Sequence, residues 1–531
     1  MPTGHGLKCL FRSPTQRFET AELMVWLWSS RDLDTAGLET LRRIEDAALA
    51  GLGAFTLAAR CKATGTIRLC RTSTSTVPLY YHVGKSETVV SDTIAGVVET
   101  IDADSLQIDE KGLIDHFLFY APVGDGTYYR NVRKLDISQK KQLSQGSVST
   151  ERFSTLSEEV NRHRLGDAPL AEAILASCRR DGNVRVMYSG GLDSTALACI
   201  FGSAELQFHG LRHDVYAPEH ERALHGSQAL DRPLIQVEVS HTEYCQRLGD
   251  FAKRMKCPTI MPQTLVHFIA VERDPRPLLC GKMADTLFDY RVPGRRRTQK
   301  ANGSAFGRLR REAGTLRRAF RDPKKSFAQA IRLGARRQES LEHLKLTPQF
   351  IGILSRSVGW SAIKERIDAY QARNRFAAGT GDSPDPSDRD RFLEAVVGNM
   401  ESTSLWHEVL TAHGVWMYLP FCHPAVVAVA ADALLAPRSR DKKSLVADVV
   451  RKQAPGYNVG LRKLGGTMLP RDVFGSSSRW QHADERMTDK ITLPAPDFDQ
   501  QPRKFFWRRF WLLHWQEQVF GACRQPVAPA R

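Results

Sequence analysis

Short apolar runs rich in β-branched and aromatic residues, separated by polar residues or glycine, recur through the first 150 positions of the chain. Such runs are typical of strands. They lie at residues 56–60, 66–71 and 77–83. A helix is predicted over residues 105–121. Serine, threonine and charged residues concentrate at 145–159, and this composition places a linker between two domains there.

From about residue 165 the pattern changes to apolar runs of strand length that alternate with segments long enough for a helix. The predicted strands are 184–188, 206–210, 234–239 and 278–280, and the predicted helices are 168–180 and 194–201. This alternation indicates βαβ units and a doubly wound parallel sheet. After residue 337 apolar periodicity favours helices. The fold class is therefore α+β for the first domain and α/β, with a helical C-terminal part, for the second.

The length of 531 residues exceeds that of one ordinary domain. We expect a domain at 1–150, a linker at 151–165 and a second domain at 166–531. With 42% hydrophobic and 25% charged residues the composition is globular. No apolar run reaches the roughly 18 residues of a membrane span, and no apolar signal core follows the first basic residue. A cytoplasmic protein without an integral membrane segment is expected.

The formal charge of +16 is concentrated in one segment. Residues 291–337 hold sixteen lysines and arginines against two acidic residues, Glu312 and Asp322, and therefore carry 14 of the excess charges. The rest of the chain is nearly neutral, which argues against a nucleic-acid partner. A basic insert of this kind indicates a local docking surface or a mobile segment, and a solvated insert without a partner is the alternative.

A glycine-rich turn, Ser189-Gly-Gly-Leu-Asp-Ser194, separates a predicted strand from a predicted helix. Gly190 and Gly191 allow backbone N–H groups to approach an anion, and the following helix offers its unsatisfied N-terminal donors. Ser189 and Ser194 add hydroxyl donors, and Asp193 is an oxygen ligand suited to Mg²⁺ on phosphates. The pattern predicts a phosphate site, although a turn whose hydroxyls only cap the helix is the alternative.

This hexapeptide resembles the pyrophosphate loop of the ATP-pyrophosphatase superfamily, specifically of its asparagine synthetase branch. The resemblance covers about residues 170–470. The further stretches that carry it are 219–223 with 233–237, 280–290, 419–424, and 442–445 with Pro455, Arg462 and Lys463. Residues 78–81 and 89–95 are similar to the second half of the family's glutaminase domain. The resemblance therefore implies an N-terminal class II glutaminase-like domain of the N-terminal-nucleophile (Ntn) type, followed by an ATP-pyrophosphatase synthetase domain.

The resemblance also implies ATP and Mg²⁺ as cofactors and assigns roles to individual residues. Asp193 and Asp285 would hold the magnesium ion, and Asp285 would also take part in catalysis. Lys463 matches the catalytic lysine that stabilises pyrophosphate and the developing oxyanion. The remaining nucleotide-binding positions it implies are Met187 beside the adenine and Gly281 and Lys442 beside the phosphates. The alternatives are a core methionine for Met187, a helix N-cap for Asp285, and solvated surface charges for Lys463 and Lys442.

Several positions depart from the family pattern. Family glutaminases use an N-terminal cysteine as nucleophile, whereas this chain begins Met1-Pro2-Thr3 and its first cysteine is Cys9. We therefore expect the glutaminase-like domain to be inactive. In the synthetase part, Lys282, Met283 and Thr286 stand where the family has Glu, Gly and Glu. His423 stands in place of the family aspartate, and Val446 stands in place of the family arginine. The nucleotide end is thus retained while the acyl-acceptor end is rebuilt.

A synthetase with this pattern must obtain its amine from a source other than glutamine. The pattern is similar to lasso peptide cyclases, which are macrolactam synthetases, and to β-lactam synthetases. The former resemblance implies adenylation of a side-chain carboxylate of a precursor peptide, ring closure by the peptide's N-terminal amine, and a leader-peptide protease as partner. The alternatives are a small-molecule amide or β-lactam synthetase, a nucleic-acid-modifying or nucleic-acid-binding ATP-pyrophosphatase, and an inert scaffold.

Two further groups of residues are interpreted as structural. The amine needs a general base, but His423, Glu408 and His413 are favoured as structural residues. The aromatic cluster at 505–511, together with Trp515, has the spacing of a C-terminal helix that packs on the core. A membrane-surface or partner patch is the alternative for that cluster.

Overall fold

The computed structural model describes residues 6–520 except for 13, 21, 30–51, 103–104, 145, 167, 179–182, 213–216, 260–262, 291–353, 356–357, 384–385, 436–442 and 460–502. The basic insert at 291–337 and the candidate lysines Lys442 and Lys463 lie outside the described residues. Their predicted roles stay predictions.

Two sheets and two helices make up the described residues of the N-terminal part. The strands are β1 (Gly6–Leu10), β2 (Gln16–Glu19), β3 (Leu23–Ser29), β4 (Phe55–Cys61), β5 (Ile67–Arg71), β6 (Tyr80–Val83), β7 (Glu87–Ser91), β8 (Arg133–Lys134), β9 (Gln139–Ser144) and β10 (Ser147–Arg152), and the helices are α1 (Ile94–Val98) and α2 (Glu110–Phe119). One sheet has the order β1-β7-β6-β8 and the other the order β10-β9-β5-β4-β3-β2. All strand pairs are antiparallel except β1 with β7.

Strand β4, in the middle of the six-stranded sheet, is buried on both faces of the sheet. Its successive side chains point to opposite faces and enter different apolar clusters. Leu57 of β4 belongs to one apolar cluster and its neighbour Ala58 to another. The second cluster also contains Tyr81 and Val90 from the four-stranded sheet, so the two sheets pack face to face through it. The predicted strand-rich character of this part is confirmed, whereas its relation to Ntn glutaminases stays a prediction.

The segment 151–165, expected to be a linker, contains a helix, α3 (Leu156–Arg162). Thr155 and Glu158 form a capping box at its start, and Leu156 and Val160 are buried. The polar composition that suggested a linker therefore belongs to a hairpin strand and a capped helix. The domain boundary itself stays a prediction.

The remaining described elements form one parallel sheet and the helices around it. The strands are β11 (Arg185–Met187), β12 (Glu205–Arg212), β13 (Leu234–Ser240), β14 (Leu278–Leu279) and β15 (Met417–Tyr418). The helices are α4 (Leu170–Ser177), α5 (Leu192–Ile200), α6 (Ala217–Ala229), α7 (His241–Met255), α8 (Gln263–Arg273), α9 (Ala284–Phe288), α10 (Trp360–Ala378), α11 (Asp388–Thr411), α12 (Pro424–Leu435), α13 (Lys443–Gln453) and α14 (Arg503–Phe520). Each strand predicted from the sequence in this part is confirmed within two residues.

The order of this sheet, β13-β12-β11-β14-β15, places the functional loops. The chain starts in the middle at β11, moves to one side through β12 and β13, and then returns to the other side of β11 with β14. The strand order therefore reverses between β11 and β14. In open parallel sheets ligands bind in the crevice at such a reversal, outside the carboxyl ends of the strands.

The C-terminal helix α14 packs on both parts of the molecule. Trp511 contacts Phe251 of α7 at 5.6 Å between ring centroids, and Trp515 contacts Tyr129 of the N-terminal part at 5.8 Å. Both tryptophans are buried, and the guanidinium of Arg508 lies 3.9 Å from the ring centroid of Tyr120. The prediction that this aromatic segment is a helix packed on the core is confirmed.

Candidate active site

The glycine-rich turn connects β11 to α5 at the reversal of the sheet. Gly190 has φ +64°, and a Cβ placed on it would lie 2.3 Å from the backbone oxygen of Arg222 on α6. Any other residue would therefore be both strained and in collision with a backbone. Tyr457, which follows α13, donates a hydrogen bond of 2.6 Å to the Gly190 oxygen. The turn is thus held from two sides, by α6 and by Tyr457.

The hydroxyls of the turn bond to one another and to its backbone. Ser194 Oγ donates to the Gly191 oxygen at 3.0 Å and lies 3.3 Å from Ser189 Oγ, while the Gly191 N–H donates to Ser189 Oγ at 3.4 Å. Gly191 is the N-cap of α5, and within the described part of the chain no side chain caps this helix. Its first N–H groups therefore offer donors for an anion.

Two aspartates from the first turns of α5 and α9, the helices that follow β11 and β14, meet at one lysine. Lys443, the first residue of α13, has its Nζ 3.1 and 3.2 Å from the two carboxylate oxygens of Asp193 and 2.7 Å from an oxygen of Asp285. A Cβ on Gly281 would lie 3.3 Å from Asp193 Cβ, so the second loop packs directly against the first. The predicted residues Asp193, Asp285 and Gly281 are thus brought together.

Lys442, the lysine predicted beside the phosphates, lies outside the described residues, and the described lysine at the aspartates is its neighbour Lys443. The choice between adjacent lysines depends on where α13 begins, and sequence patterns fix a helix end only to one or two residues.

Val446, which stands in place of the family arginine, lies within α13 and is fully buried against the core. Tyr457 was missed because nothing in the pattern links it to the glycine-rich turn.

The donor set fits a hard divalent cation. Two carboxylates already converge on one positive charge, and carboxylate oxygens are the ligands that Mg²⁺ uses together with phosphates and water. Among the described residues no group of three or more His, Cys, Asp or Glu has metal-binding geometry. A magnesium ion at Asp193 and Asp285 would therefore complete its coordination with phosphate oxygens and water.

The other candidate nucleotide residue, Met187, ends β11 and is half-buried against the main apolar core. This placement agrees with a core methionine and does not distinguish it from a residue beside adenine. Its predicted role stays a prediction.

The three residues considered as general bases lie in structural contacts. The ring of His423 fills the space beside Gly53, and its Nδ1 accepts a hydrogen bond from the Ala425 N–H at the start of α12. Burial, followed by the charge of Arg254, lowers the pKa of His413 to about 4. These positions support the structural interpretation of both histidines.

Glu408 lies at the contact between the N-terminal part and α11. Its carboxylate accepts hydrogen bonds of 2.9 Å from the Tyr80 hydroxyl and from the Ile94 N–H. Burial raises its pKa to about 7 in spite of these two bonds. The residue thus joins the two parts of the molecule, and it lines a small internal cavity together with Tyr128 and Lys134.

Cys9 lies within β1, where it pairs with Val90 of β7. Burial raises the pKa of its thiol to about 11, so the thiol is protonated at neutral pH. A protonated thiol is a weak nucleophile.

In the described residues no helix combines the length and the apolar character needed to cross a bilayer.

A family model, and no single curated relative, shows what the chain is similar to. No curated protein matches the chain. The family model described as asparagine synthase matches residues 167–456, a stretch that contains the glycine-rich turn, Asp285 and Lys443. Members of this family are ATP-dependent amide-forming ligases that generally use Mg²⁺. Because the match spans more than half of its residues, the chain belongs to the asparagine synthase family.

Proposed function

We propose that this protein is an AMP-forming macrolactam synthetase, which closes a ring between a side-chain carboxylate and the N-terminal amine of a precursor peptide. The observation that supports the nucleotide chemistry is the meeting of Asp193, Asp285 and Lys443 at the N-terminus of α5. A leader-peptide protease is the proposed partner. The resemblance to lasso peptide cyclases supports the peptide substrate.

In the first step an oxygen of the carboxylate attacks the α-phosphorus of ATP. The bond from that phosphorus to the bridging oxygen breaks, and pyrophosphate leaves with the electron pair. Mg²⁺, when bound, neutralises charge on the phosphates. The N–H groups of α5 and the ammonium of Lys443 would stabilise the departing pyrophosphate, because fixed donors act most strongly where charge develops.

In the second step the amine nitrogen attacks the acyl carbon of the adenylate. The amine loses a proton to solvent water, the acyl–oxygen bond breaks, and AMP leaves with that electron pair. In this proposal the amine comes from the peptide itself. An inactive glutaminase-like part is accordingly included in the proposal.

The experiment combines the protein, its candidate precursor peptide, the leader protease, ATP and Mg²⁺. Mass spectrometry would record loss of one water from the core peptide, and AMP release would be measured in parallel. We expect both products in stoichiometric amounts with the wild type, neither with Asp193→Ala, and both with Asp448→Ala. Asp448 is the matched control because it is an aspartate on the exposed face of α13. It pairs there with Arg451, three residues further along the same helix.

Two outcomes contradict the proposal. Release of AMP without dehydration of the peptide would move the acyl substrate to a small molecule and favour an amide or β-lactam synthetase. Dehydration that persists in Asp193→Ala would remove the two-aspartate site from the reaction.

A further inference from the structure

The ammonium of Lys443 lies at the point where two carboxylates converge. Its Nζ is 3.1 and 3.2 Å from the oxygens of Asp193 and 2.7 Å from an oxygen of Asp285, and all three side chains are partly exposed. A Mg²⁺ ion bound to the same two carboxylates would stand within a few ångströms of the ammonium, and the two cations would repel each other. Lys443 and Mg²⁺ therefore compete for the two aspartates.

The phosphates of a nucleotide at the N-terminus of α5 offer this ammonium a second partner. Gly191 is the N-cap of the helix, and among the described residues no side chain caps it. Asp193 lies in its first turn, so an ammonium bound to Asp193 is already at the helix end that attracts anions. Phosphate oxygens are strong acceptors for an ammonium. Lys443 can thus exchange partners over a short distance.

This exchange needs a movement of the lysine side chain alone. Val446 and Val450 of α13 are buried against the core. Just after the helix, the hydroxyl of Tyr457 donates a hydrogen bond of 2.6 Å to the Gly190 oxygen. The helix is therefore held beside the glycine-rich turn, whereas the lysine side chain is a flexible four-carbon stem.

We propose that Lys443 is an exchangeable cation of this site, which neutralises the two aspartates and moves to the phosphates when a magnesium nucleotide binds. The inference rests on the nucleotide step of the proposed function. The lysine gives up the aspartates at low cost only where phosphates accept it, so the aspartates bind nucleotide-bound Mg²⁺ in preference to the free ion. Metal binding and nucleotide binding are thereby coupled, and Lys443 sets the coupling.

The test measures metal binding by the full chain without nucleotide, with Mn²⁺ as the probe. Mn²⁺ prefers the same oxygen ligands as Mg²⁺, and the free ion is quantified from its electron paramagnetic resonance signal. Lys443→Met should bind Mn²⁺ at least about tenfold more tightly than the wild type, because the competing charge is gone. Lys443→Arg keeps that charge and should stay within about threefold of the wild type.

Lys452→Met is the matched control, because it removes the same charge from the exposed last turn of the same helix. It is expected to bind Mn²⁺ as the wild type does. Asp193→Asn combined with Lys443→Met should abolish the gain. Mn²⁺ binding by Lys443→Met that is equal to or weaker than that of the wild type overturns the inference. A gain that persists in the double variant overturns it too, because the metal would then bind elsewhere.

Calorimetric titration with the magnesium complex of α,β-methylene-ATP tests the second partner. Its affinity should fall in Lys443→Met, opposite to the gain for Mn²⁺, because the phosphates lose an ammonium. A rise of both affinities would overturn the inference, since the lysine would then only oppose the metal. A fall with unchanged Mn²⁺ affinity would also overturn it, since the lysine would then only bind phosphate.

Dehydration of the precursor peptide separates this inference from the proposed function. Opposite shifts of the two affinities in a protein that dehydrates no peptide would contradict the macrolactam reaction while leaving the exchange in place. Dehydration by the wild type, together with equal Mn²⁺ affinities of the wild type and Lys443→Met, would contradict the exchange while leaving the reaction in place.

Discussion

Carboxylates meet basic side chains in two regions of this molecule, and the two differ in burial. At the contact between the N-terminal sheets and the synthetase helices, Arg373 binds Asp136 and Glu401 at 2.6 Å each, and Lys134 binds Glu401 at 2.6 Å. These four side chains are 4–7% exposed. Each charge there is satisfied by another part of the chain.

At the glycine-rich turn the ion pairs between carboxylates and a lysine are partly exposed to solvent. The side chains of Asp193, Lys443 and Asp285 are 19%, 23% and 40% exposed. Their bonds hold the ends of α5, α9 and α13 together, but a ligand can reach and replace them. Convergent charges therefore mark a candidate site only where a ligand can reach them. The buried ion pairs of Arg373 and Lys134 instead hold the two parts of the protein together.

The largest expected effect is on stability in the buried region. Arg373→Met removes the ion-pair partner of the buried Asp136 and leaves Glu401 with Lys134 alone, so the free energy of unfolding should fall by about 3–5 kcal/mol. Urea unfolding followed by tryptophan fluorescence measures it. Arg375→Met, which removes an arginine on the same helix paired with the exposed Asp382, should cost less than about 1 kcal/mol. Equal losses in the two variants would contradict the distinction.

The next effect is on ligand binding in the exposed region. In the proposed complex Lys443 binds phosphate oxygens of the nucleotide. Lys443→Met removes these charge-assisted hydrogen bonds, worth about 1.5–3 kcal/mol, so the affinity for MgATP should fall about 10- to 100-fold in calorimetric titrations. Unfolding should change by less than about 1 kcal/mol, because the lysine is partly exposed. Lys452→Met, near the end of the same helix, is the control. A stability loss as large as that of Arg373→Met would show that Lys443 is mainly structural.

The smallest effect concerns pH. Glu408 has a folded-state pKa of about 7, raised by burial above its ordinary value of 4.5. Its stabilising contribution is therefore complete below pH 4.5 and declines as the pH rises to about 7. Glu408→Gln cannot ionise, so its loss of stability between pH 5 and 8 should be smaller than that of the wild type by on the order of 1 kcal/mol.

Thermal or urea unfolding across this pH range checks the prediction. Glu151→Gln on the exposed strand β10 serves as the control and should keep the wild-type slope. An unchanged slope in Glu408→Gln would show that the carboxyl is not the group that titrates.

The sequence predicted the elements that depend on local pattern. The strands of the parallel sheet and the helix after Ser189–Ser194 follow from apolar runs and a glycine-rich turn. The convergence of Asp193 and Asp285 was expected from a family resemblance, and the reversal of strand order between β11 and β14 gives its physical cause. Local pattern contains no information on that reversal.

Long-range contacts account for what could not be predicted. Arg71 donates to the oxygen of Ser404 across 333 positions, and Lys134 meets Glu401 across 267. Such pairs depend on how the two parts dock, which neither composition nor periodicity specifies. The polar segment at 145–159 was interpreted as a linker because exposed strands and helix caps use the same residues as loops do. The role of Lys463 stays a prediction.

The most direct test of the account is the thermal unfolding of wild type and Asp193→Asn with and without MgATP. A ligand that binds only the folded protein raises the unfolding temperature. We predict a rise in the wild type and in Asp448→Asn, no rise in Asp193→Asn, and equal unfolding temperatures of all three proteins without nucleotide. An equal rise in Asp193→Asn would contradict the assignment of the accessible aspartates to the nucleotide site.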